Sequence, residues 1–125
     1  MSVFLTVPRE RWVAHNVLAF AIRDLHPVTE GHTLVIPKRL VVDFFETTDE
    51  ERLALFGLVD EVKRALDATL RPDGYNVGFN AGEAAGQTVF HLHLHVIPRY
   101  RGDVEDPRGG IRHVIPGLGN YFAPR

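Results

Sequence analysis

Apolar and polar positions recur with two different periods along this chain, and the periods sort it into strands and one helix. Residues 11–14 and 17–23 are rich in Val, Ala, Leu, Phe and Ile and flank His15-Asn16, which predicts two short strands joined by a turn. Asp24-Leu25-His26-Pro27 breaks the run, and Thr33-Leu34-Val35-Ile36 reads as a buried strand that stops at Pro37. Val42-Asp43-Phe44-Phe45 suggests one helical turn. Then the period changes. Thr48-Asp49-Glu50-Glu51 is a capping box, with Thr48 as N-cap and Glu51 reaching back. Leu55, Val59, Val62, Leu66 and Leu70 follow on one helical face, which predicts a helix over 49–70 ended by Pro72-Asp73-Gly74. Tyr75 to Asn80 returns to strand, residues 81–87 form a loop of small residues, and Val89 to Ile97 alternates most regularly of all. From Arg99 on, Gly and Pro recur, so the tail is expected to be irregular and laid over the surface. Strands around one principal helix predict an antiparallel α+β domain spanning 1–125, with its core at about 11–98 and its tail at 99–125.

Composition narrows the class. A chain of 125 residues with 45% apolar and 24% charged side chains is long and apolar enough for one domain with its own core. Its 14 Lys and Arg against 16 Asp and Glu argue against nucleic acid as a partner. No apolar run approaches the ~20 residues of a membrane span. The first eight residues lack a basic, signal-like start, so no membrane partner and a cytoplasmic location are expected. Zero cysteines exclude disulfides, thiolate catalysis and Cys-containing metal sites. Against them stand seven histidines, three within five residues.

Those three lie in Phe90-His91-Leu92-His93-Leu94-His95-Val96-Ile97-Pro98. Alternation in a strand puts His91, His93 and His95 on one face and Leu92, Leu94 and Val96 on the other, the core face. Three readings compete. A plain sheet face is the first, but imidazoles are costly to desolvate and Val or Thr would make a better strand. A three-histidine metal site is the second. Ligand nitrogens around zinc lie about 3.4 Å apart, whereas strand residues i and i+2 are ~6.5–7 Å apart, so three rings on a straight strand converge poorly. Catalysis at a phosphate ester or anhydride is the third: one ring attacks, one donates to a phosphate or leaving-group oxygen, and one orients its neighbour. The preceding loop favours this reading. Gly82 and Gly86 permit close backbone approach and free N–H groups for an anion, Gln87 and Thr88 add donors, and a hairpin brings Asn80 near. A Gly-rich hairpin loop with no ligand is the alternative for that loop alone.

Gly86-Gln87-Thr88-Val89-Phe90-His91-Leu92-His93-Leu94-His95-Val96-Ile97-Pro98-Arg99 resembles the signature of the histidine triad (HIT) superfamily. Asp24 and Gly31-His32-Thr33-Leu34-Val35-Ile36-Pro37-Lys38 resemble its nucleoside-binding strand, and Asn80-Ala81-Gly82 its Asn-containing segment. The tail looks closest to bacterial members and the fragile-histidine-triad branch. The resemblance covers about residues 11–121. It implies a five-stranded antiparallel sheet with one long helix, doubled to ten strands in a homodimer. It also implies a hydrolase or nucleotidyltransferase acting at an α-phosphate, with dinucleoside polyphosphates as the first expected substrates. Nucleoside phosphoramidates and a phosphorolytic variant are the alternatives; a non-catalytic nucleotide-sensing module is the reading from another class.

By the same resemblance His93 is the nucleophile, His95 contacts phosphate and leaving oxygen, His91 orients the neighbouring ring through backbone hydrogen bonding and His32 supports the triad. Asn80, Gly86, Gln87 and Thr88 match the phosphate segment, and Asp24 matches a ribose-binding position. No bound cofactor is implied; a magnesium ion enters only with a polyphosphate substrate. Many bacterial relatives hold structural zinc through paired cysteines and a histidine. Here there is no cysteine and Leu40 occupies the histidine's place, so that zinc site is expected to be absent. His15 and His26 fall in predicted turns and are expected at the surface, as are Arg101, Arg108 and Arg112 of the tail. Trp12 is expected in the core; Phe20 fits either the core or a base pocket.

Overall fold

The side-chain alternation that predicts strands also decides which face of the sheet receives the helix. A computed structural model of the chain describes residues 2–124. Its elements are β1 (Trp12–His15), β2 (Ala19–Arg23), β3 (Thr33–Pro37), α1 (Asp49–Thr69), β4 (Gly74–Gly78) and β5 (Leu94–Arg99). The strands form one antiparallel sheet in the order β1-β2-β3-β5-β4. This is the predicted α+β architecture. Among the described residues no helix is long and apolar enough to cross a membrane.

Ala19 and Ala21 of β2, Val35 of β3, and Leu94 and Val96 of β5 pack on Leu55, Leu58, Val62 and Leu66 of α1. The intervening residues Phe20, Ile22, Leu34 and Ile36 face the other way, where Phe4 of the N-terminal segment covers them. Trp12 stacks on Phe20 with ring centroids 4.7 Å apart, which makes both part of this second cluster. Short 3-10 turns at Val3–Thr6 and Arg9–Arg11 carry the covering segment.

The capping box forms as the sequence predicts. Glu51 N–H donates to Thr48 Oγ1 at 3.1 Å and Thr48 N–H to Glu51 Oε1 at 2.9 Å. Two orphan donors of the first turn are thereby satisfied. The buried stripe runs Glu51, Leu55, Leu58, Val62 and Leu66, so Leu58 rather than Val59 holds its centre. The helix ends at Thr69, with Leu70 as its C-cap.

Several strand boundaries move. β4 closes at Gly78, opposite His95, not at Asn80. β5 begins at Leu94, not Val89, and runs on to Arg99. Before Leu94 the backbone leaves the ladder: Leu92 N–H donates to the Val41 carbonyl in the β3–α1 connection, at 2.8 Å. The tail is better organised than its composition predicts. A 3-10 helix spans Gly110–Val114, and Arg112 Nε donates to the Gly119 carbonyl at 2.9 Å. A Cβ on Gly109 would lie 2.2 Å from that same carbonyl oxygen, so only glycine permits this closure.

Candidate active site

The alternation of leucines and histidines survives outside the regular strand. Leu92, Leu94 and Val96 are fully buried in the core beneath α1. The three imidazoles lie on the other side, but they are not equivalent. His91 is fully buried, whereas His93 and His95 are half-buried. His91 Nε2 lies 2.8 Å from the Pro37 carbonyl, which can only accept, so Nε2 carries the proton. Its Nδ1 is 2.8 Å from Ser2 Oγ, which accepts from Phe4 N–H. The Ser2 hydroxyl therefore donates to His91. Burial holds the His91 pKa below its ordinary value, and the ring stays neutral. Both its nitrogens being bonded to protein, His91 acts through its backbone: its carbonyl accepts from His93 Nδ1–H at 2.9 Å.

That bond fixes the chemistry of His93. With the proton on Nδ1, the Nε2 lone pair is free to attack. The edge of Phe4 packs against the same ring, centroids 5.1 Å apart, and limits its rotation.

A second chain of bonds fixes His95. Val28 N–H donates to His32 Nδ1 at 3.2 Å, so His32 carries its proton on Nε2. That Nε2 lies 2.9 Å from His95 Nδ1 and 3.5 Å from Asp24 Oδ2. His32 thus donates to His95, and the neutral His95 presents Nε2–H. Burial, reinforced by His93 and His32, lowers the His95 pKa to about 4, against the partial opposition of Asp24. Burial likewise lowers His32. With both rings neutral, the site therefore combines a lone pair on one ring with a hydrogen-bond donor on the next.

His32 owes its place to a tight turn. Asp24 N–H donates to its carbonyl at 2.9 Å, which clamps the segment between β2 and β3. Gly31, at φ +90°, precedes it, and a Cβ there would meet Leu70 at 2.8 Å and Leu66 at 2.9 Å. Glycine alone lets this turn rest on the end of α1.

The glycine loop differs from expectation. Gly86 has a left-handed backbone, φ 92°. Its N–H, however, donates to the Glu83 carbonyl at 2.9 Å, and Gly82 N–H donates to Gln87 Oε1 at 2.9 Å. These donors hold the loop together instead of opening towards an anion. Gln87 is buried, and its Nε2 donates to the carbonyls of Val42 at 2.7 Å and Val89 at 3.2 Å. It braces the loop and presents no amide to the imidazole row. The reason is long-range: Val42 lies in the β3–α1 connection and offers a carbonyl that local sequence does not reveal. Thr88 is exposed and lines the same cavity as His93 and His95.

That cavity, about 540 Å³, also contains Asp24, and its apolar walls include Phe4, Val7, Ile22 and Leu34. Asn80 lies elsewhere, in a second cavity of about 360 Å³ on the opposite flank of His95. His15 and His26 are exposed, as expected. The tail arginines have other partners: Arg101 meets Asp73, Arg108 meets Asp106, and Arg112 donates to the Gly119 carbonyl. Among the described residues, donor atoms of Asp24, His32 and His95 converge within 4.8 Å of one another, the spacing of a metal-ligand set. The triad alone does not provide such a set, because both nitrogens of His91 are occupied.

Ser2, Phe4 and Val28 are positioning groups that sequence reasoning missed. A serine immediately before an apolar 3-10 turn is a capping signal, but nothing local ties it to His91.

Comparison with known proteins bears on the family and the fold. The HIT domain model matches residues 7–102. The crystal structure of a HIT family protein from Bacillus anthracis superposes with a TM-score of 0.76 at 40% identity, covering 82% of this chain and 75% of that one. A hypothetical histidine triad nucleotide-binding protein from Sulfolobus tokodaii superposes with a TM-score of 0.70 at 36% identity, covering 77% and 64%. An AP-4-A phosphorylase from Mycobacterium tuberculosis is 39% identical over 92 residues, 73% of this chain and 47% of that protein. The chain spans about three-fifths of the length of the curated relatives it matches.

Proposed function

The chain belongs to the HIT family, and from that premise we propose that it is a nucleotidyl-transfer enzyme attacking the α-phosphate of a nucleotide through His93. The observation that carries this reading is the opposed state of two adjacent rings, a free Nε2 lone pair on His93 and an Nε2–H on His95. In the first step the His93 Nε2–P bond forms and the bond from phosphorus to the leaving atom breaks. The electron pair departs with the leaving atom, which accepts a hydrogen bond from His95. In the second step water attacks phosphorus, the P–N bond breaks, its electron pair returns to Nε2, and one water proton passes to solvent. Phosphate in place of water would give phosphorolysis, the reaction that the name of the mycobacterial relative describes.

On this reading the nucleoside occupies the larger cavity, which Ile22, Leu34 and Val7 line for the base and Asp24 for the ribose hydroxyls. Thr88 supplies a hydroxyl to the phosphate. Dinucleoside polyphosphates are the first expected substrates and nucleoside phosphoramidates the second; both share the first step. The expected homodimer requires one of the two sheet edges, β1 or β4, to pair with its copy into ten strands.

The test is hydrolysis of adenosine and guanosine dinucleotides and phosphoramidates by the intact protein and by His93→Ala. Loss of turnover with retained nucleotide binding supports the reading. Near-normal turnover by the variant removes the proposed nucleophile.

A further inference from the structure

Two cavities meet at one ridge. His95, His32 and Val28 line both of them. His93, Thr88 and Asp24 line only the larger, and Asn80, Ile111 and Val114 line only the smaller. His95 therefore divides the nucleophile's side from a second side that the nucleotide-binding reading leaves unused.

The tail builds the outer wall of that second side. Ile111 and Val114 belong to the 3-10 helix Gly110–Val114, where side chains at i and i+3 eclipse and point the same way. The helix is fixed from behind: Arg112 donates to the Gly119 carbonyl, and His113 Nε2 bonds the Arg108 carbonyl at 2.9 Å. It also sits close to the sheet. A Cβ added at Gly78, opposite His95, would lie 3.9 Å from Ile111 Cδ1. Ile111 and Val114 are nonetheless 62% and 74% exposed. Their partners across the cavity are Ile97 and Phe79. No Lys or Arg lines it.

In-line displacement at phosphorus places nucleophile and leaving group on opposite sides. A group leaving away from His93 passes His95 and enters the second cavity. There an anionic chain would meet the amides of Asn76 and Asn80 and the rings of His32 and His95 but no Lys or Arg, among largely apolar walls, at a desolvation cost, whereas an aryl or alkyl body would cover Ile111 and Val114. We infer that this cavity is a leaving-group subsite, and that Ile111 and Val114 make the enzyme prefer nucleoside phosphate esters with an apolar leaving alcohol or phenol over the dinucleoside polyphosphates that the family resemblance alone puts first. The inference rests on nucleotidyl transfer to His93. With an aryl ester, the His93 Nε2–P bond forms, the P–O bond to the phenol breaks, and the electron pair leaves on the phenolate oxygen, hydrogen-bonded to His95.

The test compares two substrates in adenosine and guanosine series, the p-nitrophenyl ester of the nucleoside 5′-phosphate and the 5′-phosphofluoridate. Fluoride has no body to occupy the subsite. Ile111→Ser and Val114→Ser, both at exposed positions, should lower kcat/KM on the aryl ester by about tenfold and leave the fluoridate within about twofold. An equal loss on both substrates overturns the subsite, since a wall that only props the fold or meets a second copy acts on both alike. No loss on either also overturns it. His93→Ala separates the two readings: if it still turns over both substrates, or if the unsubstituted protein turns over neither, nucleotidyl transfer itself fails.

Discussion

His32 and His95 are joined ring to ring, Nε2 to Nδ1, at 2.9 Å. Because Val28 N–H occupies the far nitrogen of His32, the direction of this bond is set, and with it the tautomer of His95. His32→Ala frees His95 to adopt the other tautomer, with a lone pair where a donor is needed. A loss of about 10²-fold in kcat is expected, with nucleotide affinity changed only a few-fold. Steady-state kinetics beside equilibrium binding checks this; weakened binding at unchanged kcat would contradict the orienting role.

Gln87 offers two donors and one acceptor, all paired with backbone inside the protein. Gln87→Ala leaves two carbonyls and one N–H without partners, so a loss of about 2 kcal/mol or more is expected. Urea denaturation measures it. Lost activity at unchanged stability would instead place the amide on the substrate.

Glu51 is buried at the helix start, where it caps Thr48 N–H and accepts from Arg39 Nη2 at 2.7 Å. Arg39 holds its pKa below the usual carboxylate value. Glu51→Ala removes the cap and the ion pair together, and Arg39, half exposed, stays solvated. The expected cost is about 1–2 kcal/mol, and Thr48→Ala about 1 kcal/mol. The double variant should cost less than the sum, because both act on one cap.

Acid should weaken the fold through its histidines. Burial lowers the pKa of His95 to about 4, and burial also lowers His32 and His91, from an ordinary value of 6.5. Between those limits the unfolded chain binds more protons than the folded one, so stability rises with pH. The stabilisation from neutral rings is complete above about 6.5 and is lost progressively as pH falls towards 4. Urea midpoints from pH 7 to 4.5 should fall, and His91→Asn should flatten the slope. A midpoint independent of pH over this range would contradict the neutral, buried rings.

Much of this architecture is legible in the chain itself. Thr48 and Glu51 mark the helix start because a capping box is local. The Leu-His alternation sorts core from site because neighbouring residues alternate faces even where the ladder is broken at Leu92. What the sequence hides depends on distant partners. Gln87 reads as an exposed donor until the Val42 carbonyl is seen beside it. The His91 carbonyl orients His93 as the resemblance implies, but the bonds that hold the His91 ring to Ser2 and Pro37 come from distant residues and are not legible locally. The tail reads as loose because glycine count alone does not show that Gly109 and Gly119 let two backbones touch.

The central claim is a covalent bond from phosphorus to His93, and intact-mass spectrometry after a denaturing quench at neutral or alkaline pH observes it directly. Mixed with a turned-over nucleotide, the protein should gain the mass of one nucleotidyl group, localised to the peptide bearing His93 and absent from His93→Ala. Turnover with no adduct under rapid quench, or an adduct on any other residue, would contradict it.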